Sequence, residues 1–366
     1  MGFSCGIVGM PNVGKSTIFN ALSKAQIAES ANYPFCTIDP NKGVVPVPDS
    51  RLDFIVKYVN PRSVVHTTVE FVDIAGLVRG AGKGEGLGNQ FLMHIRQVDA
   101  IVHVVRCFED ENVAHVEGSV DPLRDISIIQ NELMISDIDV LERALERARK
   151  ASKGGGAALK RKADVLAELT EYVSGGKLLK DILEISPEYR EEIKEYQLLT
   201  DKPVLYAANV SEEDIISGNS FTEMVQKAAA KENAKYISIC GKIECDILEL
   251  GSAGGIEYLA GLGLKRSGLE ILIYEGYDLL GLVTFFTAGE KEARAWTIKK
   301  NTIAREAAGK IHSDIERGFI RAEVVSFKDF AELKSLAAAK EKGKMRLEGK
   351  EYVVQDGDII YFRHNV

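Results

Sequence analysis

The chain contains no apolar run long enough to cross a membrane, and cysteine is scarce. The first apolar segment, residues 3–8, is broken at once by a glycine-rich loop, so we predict neither a secretory leader nor a membrane partner and expect a cytoplasmic protein. The five cysteines are scattered and never spaced as C-x-x-C, which predicts neither a disulfide framework nor a zinc site.

Positive charge is not in excess either. The chain has 46 lysine and arginine residues against 54 aspartate and glutamate residues, a formal net charge of −8. This balance excludes coating of nucleic acid by bulk electrostatics, so we expect no stable DNA binding and only regional contact with RNA. The 366 residues, 45% of them apolar, are enough for two or three domains with ordinary cores.

Short apolar segments of strand length alternate with amphipathic stretches over much of the first 280 residues. The strand candidates are residues 4–8, 43–47, 69–73, 100–105, 204–208 and 236–239. Their alternation with helix candidates such as 17–24 and 221–231 predicts an α/β fold with a mostly parallel sheet and helices on both faces. In such sheets ligands bind at the carboxyl ends of the strands.

Between residues 105 and 203 this alternation gives way to a helical pattern. Apolar residues repeat at spacings of three and four on both sides of Gly154-Gly155-Gly156, which predicts an antiparallel helical hairpin within about residues 125–200. The apolar positions are Met134, Ile138, Leu141, Leu145, Ala148, Leu159, Ala163, Leu166, Thr170 and Val173.

Basic residues gather near the predicted tip of this hairpin, with Glu146 as the one acidic residue among them. They are either a solvated charged face or a docking surface for RNA phosphates. They comprise Arg143, Arg147, Arg149, Lys150, Lys153, Lys160, Arg161 and Lys162.

From about residue 281 the pattern changes to short alternating segments around one helix candidate, residues 304–315. The strand candidates are residues 282–287, 293–297, 320–325, 352–354 and 358–362, and Asp356-Gly357 predicts a tight turn before the last of them. We therefore predict a separate α+β domain of ubiquitin-like size at residues 281–366, after a first domain at residues 1–280 that contains the hairpin.

The glycine-rich loop from Gly9 to Ser16 fits G-x-x-x-x-G-K-[ST] and lies between a strand and a helix candidate. Gly9 and Gly14 would turn backbone N–H groups toward a β-phosphate, Lys15 would reach the β- and γ-phosphate oxygens and take part in catalysis, and the Ser16 hydroxyl would bind Mg²⁺. The pattern thus predicts that a nucleoside triphosphate is bound by Asn12, Val13, Gly14, Lys15, Ser16 and Thr17.

Two further segments complete the predicted Mg²⁺ and γ-phosphate site. Asp73-Ile74-Ala75-Gly76 has the D-x-x-G form, which places Asp73 in the outer coordination layer of Mg²⁺ and the Gly76 N–H at the γ-phosphate, where it would assist catalysis. Thr37 lies in the loop before the second strand, where a threonine can complete the Mg²⁺ ligands.

Intrinsic turnover should be slow. Leu77 occupies the position at which many GTPases carry the glutamine that orients the attacking water, and leucine cannot do this. His115, in the polar segment 109–117, is the candidate within the chain for positioning that water.

The predicted base site departs from guanine recognition. Guanine-specific relatives use N-K-x-D, whereas this chain has Asn209-Val210-Ser211-Glu212, without the lysine and with the longer Glu212 in place of aspartate. Because a misplaced acceptor leaves guanine donors unmatched, we expect ATP to be preferred over GTP. Adenine would present its amine to a backbone carbonyl near Asn209 or Val210, and the loop Cys240-Gly241-Lys242 would close over the base.

These motifs together resemble a known family. The strings N-Y-P-F-C-T-I-D-P, D-I-A-G-L and N-V-S-E, in this order, are similar to those of the Obg-like ATPase (YchF) subfamily of translation-factor-class P-loop GTPases. The C-terminal strings A-W-T-I and D-G-D-I-I-Y-F resemble the family's TGS domain, which also occurs in threonyl-tRNA synthetases. The resemblance runs end to end and implies a ras-like nucleotide domain, ATP preferred over GTP, and association with the ribosome. The large ribosomal subunit is the expected partner, and another RNA-containing complex is the alternative.

The sequence therefore favours a Mg²⁺-dependent switch that hydrolyses ATP to ADP and phosphate. A GTP-preferring, ribosome-associated GTPase and a nucleotide-gated binding protein with incidental hydrolysis remain alternatives. A small-molecule kinase is less favoured, because the D-x-x-G element suits a γ-phosphate sensor and no acceptor pocket is evident.

Asn12 also raises the hypothesis of a potassium site. An asparagine within the phosphate loop can help hold a monovalent cation beside the phosphates. We expect nucleotide hydrolysis to be faster in potassium than in sodium buffer of equal ionic strength, and steady-state phosphate release measures the difference. Equal rates in the two buffers would remove the hypothesis.

Overall fold

The computed structural model describes residues 3–29, 41–74, 87–154 and 156–365. The chain divides into two compact units. The first contains Met1–Ala28, Thr37–Gly43 and Glu70–Gly276, and the second contains Glu29–Cys36, Val44–Val69 and Tyr277–Val366. Within the described ranges, no helix is long and apolar enough to cross a membrane.

The strands form two six-stranded sheets. They are β1 (Ser4–Val8), β2 (Lys42–Pro46), β3 (Ser63–Val65), β4 (Thr68–Asp73), β5 (Ala100–Arg106), β6 (Val204–Asn209), β7 (Lys235–Ile239), β8 (Leu282–Ala288), β9 (Glu292–Lys299), β10 (Phe319–Ser326), β11 (Arg346–Glu348) and β12 (Asp358–His364). The first sheet has the order β2-β4-β1-β5-β6-β7, and its pairs β1–β4, β1–β5, β5–β6 and β6–β7 are all parallel.

The helices alternate with these strands. They are α1 (Lys15–Glu29), α2 (Ser50–Val59), α3 (Leu87–Gln97), α4 (Pro122–Ser152), α5 (Ala157–Ser174), α6 (Leu179–Ile185), α7 (Tyr189–Ile193), α8 (Asp214–Ser217), α9 (Ser220–Lys231), α10 (Gly241–Gly261), α11 (Gly268–Leu279), α12 (Ala304–Ile311), α13 (Ser313–Arg317), α14 (Phe327–Leu333) and α15 (Leu336–Glu341). The predicted α/β class with a mostly parallel sheet is confirmed.

The central strand β5 shows why the parallel sheet could be predicted from the sequence. All its residues are buried, as expected of a strand covered on both faces. Its sequence, A-I-V-H-V-V-R, is accordingly a nearly continuous apolar run and not an alternating one. Because parallel strands end on the same side, β1, β5 and β6 bring their carboxyl ends to one edge of the sheet.

The helices α4 and α5 form the predicted hairpin. Asp121 caps α4 by accepting from the Arg124 N–H, and Pro122 occupies the first turn, where its missing N–H costs nothing. The predicted apolar face is buried at Met134, Leu141, Leu145, Ala148, Ala163, Leu166 and Val173. Ile138 and Thr170 are partly buried. Leu159 is 40% exposed, because it lies in the first turn of α5, before the buried seam begins.

A buried carboxylate ties the hairpin to the chain that returns from it. Asp137 is 0% exposed, and its oxygens accept from the N–H groups of Leu199 and Thr200, each at 2.8 Å, and from the Thr200 hydroxyl at 2.8 Å. Arg96 lies nearby at the end of α3 and donates to the Ser136 hydroxyl at 2.7 Å and to the carbonyl oxygen of residue 197 at 3.1 Å. These bonds hold the segment that leads into β6.

The second unit is built on the sheet β11-β10-β12-β8-β9-β3. β8 and β9 form an antiparallel hairpin, and β12 runs parallel to β8. Helix α12 buries Ala304, Ala307 and Ala308 against Phe285 and other core side chains of this sheet.

Two predictions for this part of the chain were wrong in detail. The predicted strand 352–354 is only an isolated bridge between Ile303 and Val353, and β11 takes the edge position instead. The predicted helix 304–315 ends at Ile311, because His312 is extended (φ −163°) and caps the next helix through its ring nitrogen.

An early segment of the chain belongs to the second unit. Residues 44–69 group with residues 277–366, and β3 pairs in parallel with β9. Arg51 on α2 makes ion pairs with Asp49 at 2.8 Å and with Asp356 at 2.6 Å, and these carboxylates raise the pKa of Arg51 against the effect of burial. This grouping was not predicted from the sequence, and the domain boundary near residue 281 stays a prediction.

Replacing Asp137 should destabilise the protein. In Asp137→Ala two backbone N–H groups and a hydroxyl lose their buried acceptor, so we expect the free energy of unfolding to fall by about 3 kcal/mol. Asp139→Ala is the control, since Asp139 is exposed two residues further on and should change stability by less than about 0.5 kcal/mol. Urea denaturation followed by circular dichroism measures both, and equal midpoints for the two variants would contradict the assignment.

Candidate functional site

The phosphate-loop motif lies between β1 and α1, and two of its positions admit only glycine. Gly9 has φ +156° and Gly14 has φ +95°, which are backbone conformations that other residues rarely adopt. A Cβ atom would collide with the Val104 carbonyl oxygen at Gly9 and with the Asn209 amide nitrogen at Gly14. The loop is thus shaped by contacts with the ends of β5 and β6.

Lys15, the first residue of α1, is buried, and its ammonium group has one hydrogen-bond partner among the described residues. The side chain is 7% exposed, and Nζ donates to the Met10 carbonyl oxygen at 2.7 Å. Burial lowers the pKa of Lys15 to about 8, although the nearby Asp73 carboxylate opposes this shift. An anion bound in the loop would offset the cost of burying this ammonium group.

Asp73, at the end of β4, is a partly buried carboxylate, opposite in charge to Lys15. Among the described residues, its Oδ1 atom is buried and has no hydrogen-bond partner. Burial raises the pKa of Asp73, and Lys15 acts in the opposite direction. An orphaned carboxylate oxygen is costly unless a cation or its bound water satisfies it, so this position fits the predicted outer layer of a Mg²⁺ site.

The remaining predicted Mg²⁺ residues divide into two groups. Ser16 lies exposed at the start of α1. Thr37 and Gly76 lie outside the described residues, as does Leu77. No group of three or more histidine, cysteine, aspartate or glutamate side chains that could hold a metal occurs in the described part of the chain. Mg²⁺ in phosphate-loop proteins needs few protein ligands, because phosphates and water supply the others.

Asn209, the last residue of β6, joins two loops. Its Nδ2 donates to the Val13 carbonyl oxygen at 2.9 Å, and its Oδ1 accepts from the Gly241 N–H at 3.1 Å. The side chain is 5% exposed. Both ends of the amide are therefore used to align the phosphate loop with the loop at residues 240–241, rather than facing a base.

Glu212 does not stand free where a guanine-reading aspartate would be. Its Oε1 lies 2.5 Å from Nζ of Lys242, and this partner raises the pKa of Lys242. The Glu212 side chain is 37% exposed and that of Lys242 is 73% exposed. In this arrangement the carboxylate is directed toward a lysine.

These residues surround one cavity of about 780 Å³. The predicted nucleotide-binding residues 12–17, 209–212 and 240–242 all line it except Val13, which is 1% exposed. The lining also includes residues that were not predicted from the sequence, namely Phe108, Glu109, Asp110, Val113, Glu213 and Cys245. The signal for residues 108–113 was available, since they directly follow the carboxyl end of β5, where ligands of parallel sheets bind.

His115 has a different environment from the one expected of a water-positioning residue. Its Nδ1 accepts from the Glu117 N–H at 3.1 Å, so Nε2 carries the hydrogen and donates to Asp125 at 2.8 Å. The side chain is 4% exposed and does not line the cavity. In this conformation His115 supports the loop whose Ala114 carbonyl oxygen accepts from Nδ2 of Asn12 at 3.2 Å.

The fold and the cavity define a protein of the P-loop GTPase class. Residues 4–137 match a family model described as "50S ribosome-binding GTPase", and residues 282–365 match the model of the YchF GTPase C-terminal region, described as "Protein of unknown function". Together these two models cover more than half of the chain. The chain belongs to the YchF family.

Full-length relatives agree with this placement. Proteins named "Ribosome-binding ATPase YchF" from Bacillus subtilis, Escherichia coli O157:H7 and Haemophilus influenzae are 53%, 52% and 51% identical to this chain, and each comparison covers 100% of both sequences.

Solved structures give the same answer for the fold. The structure of the Schizosaccharomyces pombe YchF GTPase superposes with a TM-score of 0.90 at 40% identity, covering 99% of this chain and 97% of that one. A GTP-binding protein from Pyrococcus horikoshii shares the fold alone, with a TM-score of 0.61 at 19% identity, covering 99% of this chain and 100% of that one.

The lowered pKa of Lys15 predicts a pH dependence of nucleotide binding. Lys15 must be charged to hold phosphate, so above about pH 8 binding requires proton uptake, and the Kd for an ATP analogue should rise by up to about tenfold per pH unit. Lys15→Arg is the control, because arginine stays charged across this range. Fluorescence titrations from about pH 7 to about pH 9 measure both, and parallel profiles for the two proteins would contradict the prediction.

Proposed function

We propose that this protein is a Mg²⁺-dependent ATPase that acts as a nucleotide switch and associates with the ribosome. The observation that carries the proposal is the pairing of a buried, under-compensated Lys15 ammonium with the orphaned Asp73 oxygen beside a cavity of nucleotide size. The full-length relatives named "Ribosome-binding ATPase YchF" support both the activity and the partner.

The chain's own groups would act mainly by positioning and by charge. Lys15 and the backbone N–H groups of the loop would hold the β- and γ-phosphates, and the partial positive charge at the start of α1 would add to their effect. Ser16 and Asp73, with Thr37, would hold the Mg²⁺, which when bound neutralises charge on the phosphate oxygens. The Gly76 N–H would reach the γ-phosphate.

The role of His115 in orienting the attacking water stays a prediction. Both ring nitrogens of His115 are engaged by the protein, so His115 would have to leave Asp125 to reach the cavity. Slow intrinsic turnover follows from this arrangement and from Leu77, and an external partner could supply the missing group.

ATP is the nucleotide that the base site favours. Guanine needs an acceptor for two N–H donors, but the Glu212 carboxylate is directed to Lys242 and the Asn209 amide is committed to Val13 and Gly241. The Asn209 carbonyl oxygen accepts from the Cys107 N–H and the Val210 N–H donates to the Ile239 carbonyl oxygen, so the Val210 carbonyl oxygen is the backbone group that would meet the adenine amine, beside Ser211 and the Cys240-Gly241 turn.

Two alternatives keep specific support. A GTP-preferring, ribosome-associated GTPase is suggested by the description of the family model that matches residues 4–137. A nucleotide-gated binding protein with incidental hydrolysis is suggested by Leu77 and by the engaged ring of His115. A small-molecule kinase has no comparable support.

We also propose the domain assignment made from the sequence. Residues 1–280 would form the nucleotide domain with the helical insertion at about 125–200, and residues 281–366 would form a TGS domain. The hairpin of α4 and α5 and the match of residues 282–365 to the YchF C-terminal model support this division. A potassium ion beside the phosphates remains a proposal too. The side-chain nitrogen of Asn12 donates to the Ala114 carbonyl oxygen, and the side-chain oxygen of Asn12 would bind the cation.

Equilibrium binding of labelled ATP and GTP analogues, in magnesium and potassium, tests the base preference. We expect ATP to bind tighter by about tenfold or more, because guanine would leave polar groups unmatched. Glu212→Asp should reduce the difference between the ATP and GTP affinities. Lys242→Met should raise GTP affinity only a few-fold, since an exposed ion pair contributes at most about 1 kcal/mol.

Lys227→Met is the matched control, because Lys227 is 76% exposed and lies 3.5 Å from Glu223 on α9, away from the cavity. It should leave both affinities unchanged, while Lys15→Ala should abolish binding and phosphate release. Tighter binding of GTP, or indifference between the two nucleotides, would place the protein with ordinary GTPases.

A further inference from the structure

The end of the α4–α5 hairpin carries a dense positive charge on an acidic protein. We call the eight residues concerned the basic tip: Arg143, Arg147, Arg149, Lys150, Lys153, Lys160, Arg161 and Lys162. All are exposed except Lys162, which is partly buried. Between residues 143 and 162 the sequence has one acidic residue, Glu146, although the whole chain has a net charge of −8.

The protein neutralises only part of this charge. Lys150 pairs with Glu146 at 2.6 Å, Lys162 with Glu195 at 2.6 Å, and Arg161 approaches Glu192 at 3.9 Å. Among the described residues, no carboxylate lies within 4 Å of the remaining members, which are Arg143, Arg147, Arg149, Lys153 and Lys160.

A favourable effect on the helix dipole accounts for only two of the eight residues of the basic tip. Arg149 and Lys150 lie in the last turn of α4, where cations favour the helix dipole. Lys160 and Arg161 lie near the start of α5, where cations oppose it. The first turn of α5 has no acidic residue, and its N-cap, Gly156, makes no side-chain capping bond. An external anion would relieve this arrangement.

The hairpin core does not depend on these side chains. Leu141, Leu145, Ala148 and Leu166 are buried between the helices, and the cations lie outside this seam. Arg143 and Arg147 share one face of α4, because residues four apart lie one above the other. Neutral substitutions of the basic tip should therefore leave the fold intact.

We infer that the basic tip binds the phosphate backbone of RNA. Phosphate binding requires clustered cations and little else. A protein partner would need apolar or aromatic anchors, yet Leu159, at 40% exposure, is the one large apolar side chain exposed within residues 143–162 as far as the structure describes them. The segment also has no aromatic residue to stack on bases, so contact is to the backbone and independent of sequence.

This inference rests on the proposed association with the ribosome and names the surface that would contact it. The test uses the full-length protein with four substitutions, Arg143→Gln, Arg147→Gln, Lys153→Gln and Lys160→Gln. Binding to salt-washed ribosomes is measured by co-sedimentation, and binding to a labelled RNA hairpin by fluorescence anisotropy over a range of salt concentrations. We expect at least about tenfold weaker binding to both, and a log–log salt slope smaller by about three.

The control carries the same change of charge elsewhere, at exposed lysines without a carboxylate within 4 Å in the described structure: Lys231→Gln, Lys265→Gln, Lys291→Gln and Lys300→Gln. It should bind like the wild type, and the nucleotide affinity and basal ATP hydrolysis of both variants should match the wild type.

The outcomes separate the inference from the proposed function. If the wild type hydrolyses ATP and binds ribosomes but the tip variant binds them equally well, the inference is wrong and the function stands. Equal losses of binding in the tip variant and the control would show that binding depends on the overall charge of the protein, and this result would also overturn the inference. Loss of ribosome binding with unchanged RNA affinity would assign the tip to an acidic protein instead. A wild type that binds neither ribosomes nor RNA would contradict the proposed partner itself.

Discussion

The site depends on one amide side chain, that of Asn209. Because its nitrogen donates to Val13 and its oxygen accepts from Gly241, it aligns the phosphate loop with the loop after β7. It also occupies the space that a Cβ atom at Gly14 would need. Gly14 and Asn209 thus fit one another in space, although they lie 195 positions apart in the sequence.

Two groups of opposite charge, Lys15 and Asp73, belong to the same site. Lys15 is buried with a lowered pKa, and Asp73 is partly buried with a raised pKa and an oxygen that lacks a partner among the described residues. Each group partly offsets the other, but among the described residues Lys15 has one hydrogen-bond partner and Oδ1 of Asp73 has none. A nucleotide and its Mg²⁺ would bring the opposite charges and so offset the cost of burying these two groups.

The helical insertion is joined to this site through buried polar bonds. Asp137 holds the chain at Leu199 and Thr200, which leads directly into β6 and so to Asn209. Arg96 adds bonds from the end of α3 to Ser136 on α4. The charged end of the hairpin and the cavity are therefore parts of one unit, linked through secondary-structure elements and not through a flexible tether.

The sequence alone determined the phosphate loop, the positions of the strands in the parallel sheet and the buried seam of the hairpin. Each of these depends on local spacing: glycines at fixed offsets, short apolar runs, and apolar periods of three and four. Tertiary structure decided what depends on distant contacts. It engaged both nitrogens of His115, turned Glu212 toward Lys242, added residues 108–113 to the cavity and placed β3 beside β9. No local pattern encodes such pairings, since they arise only when residues far apart in the chain are packed together.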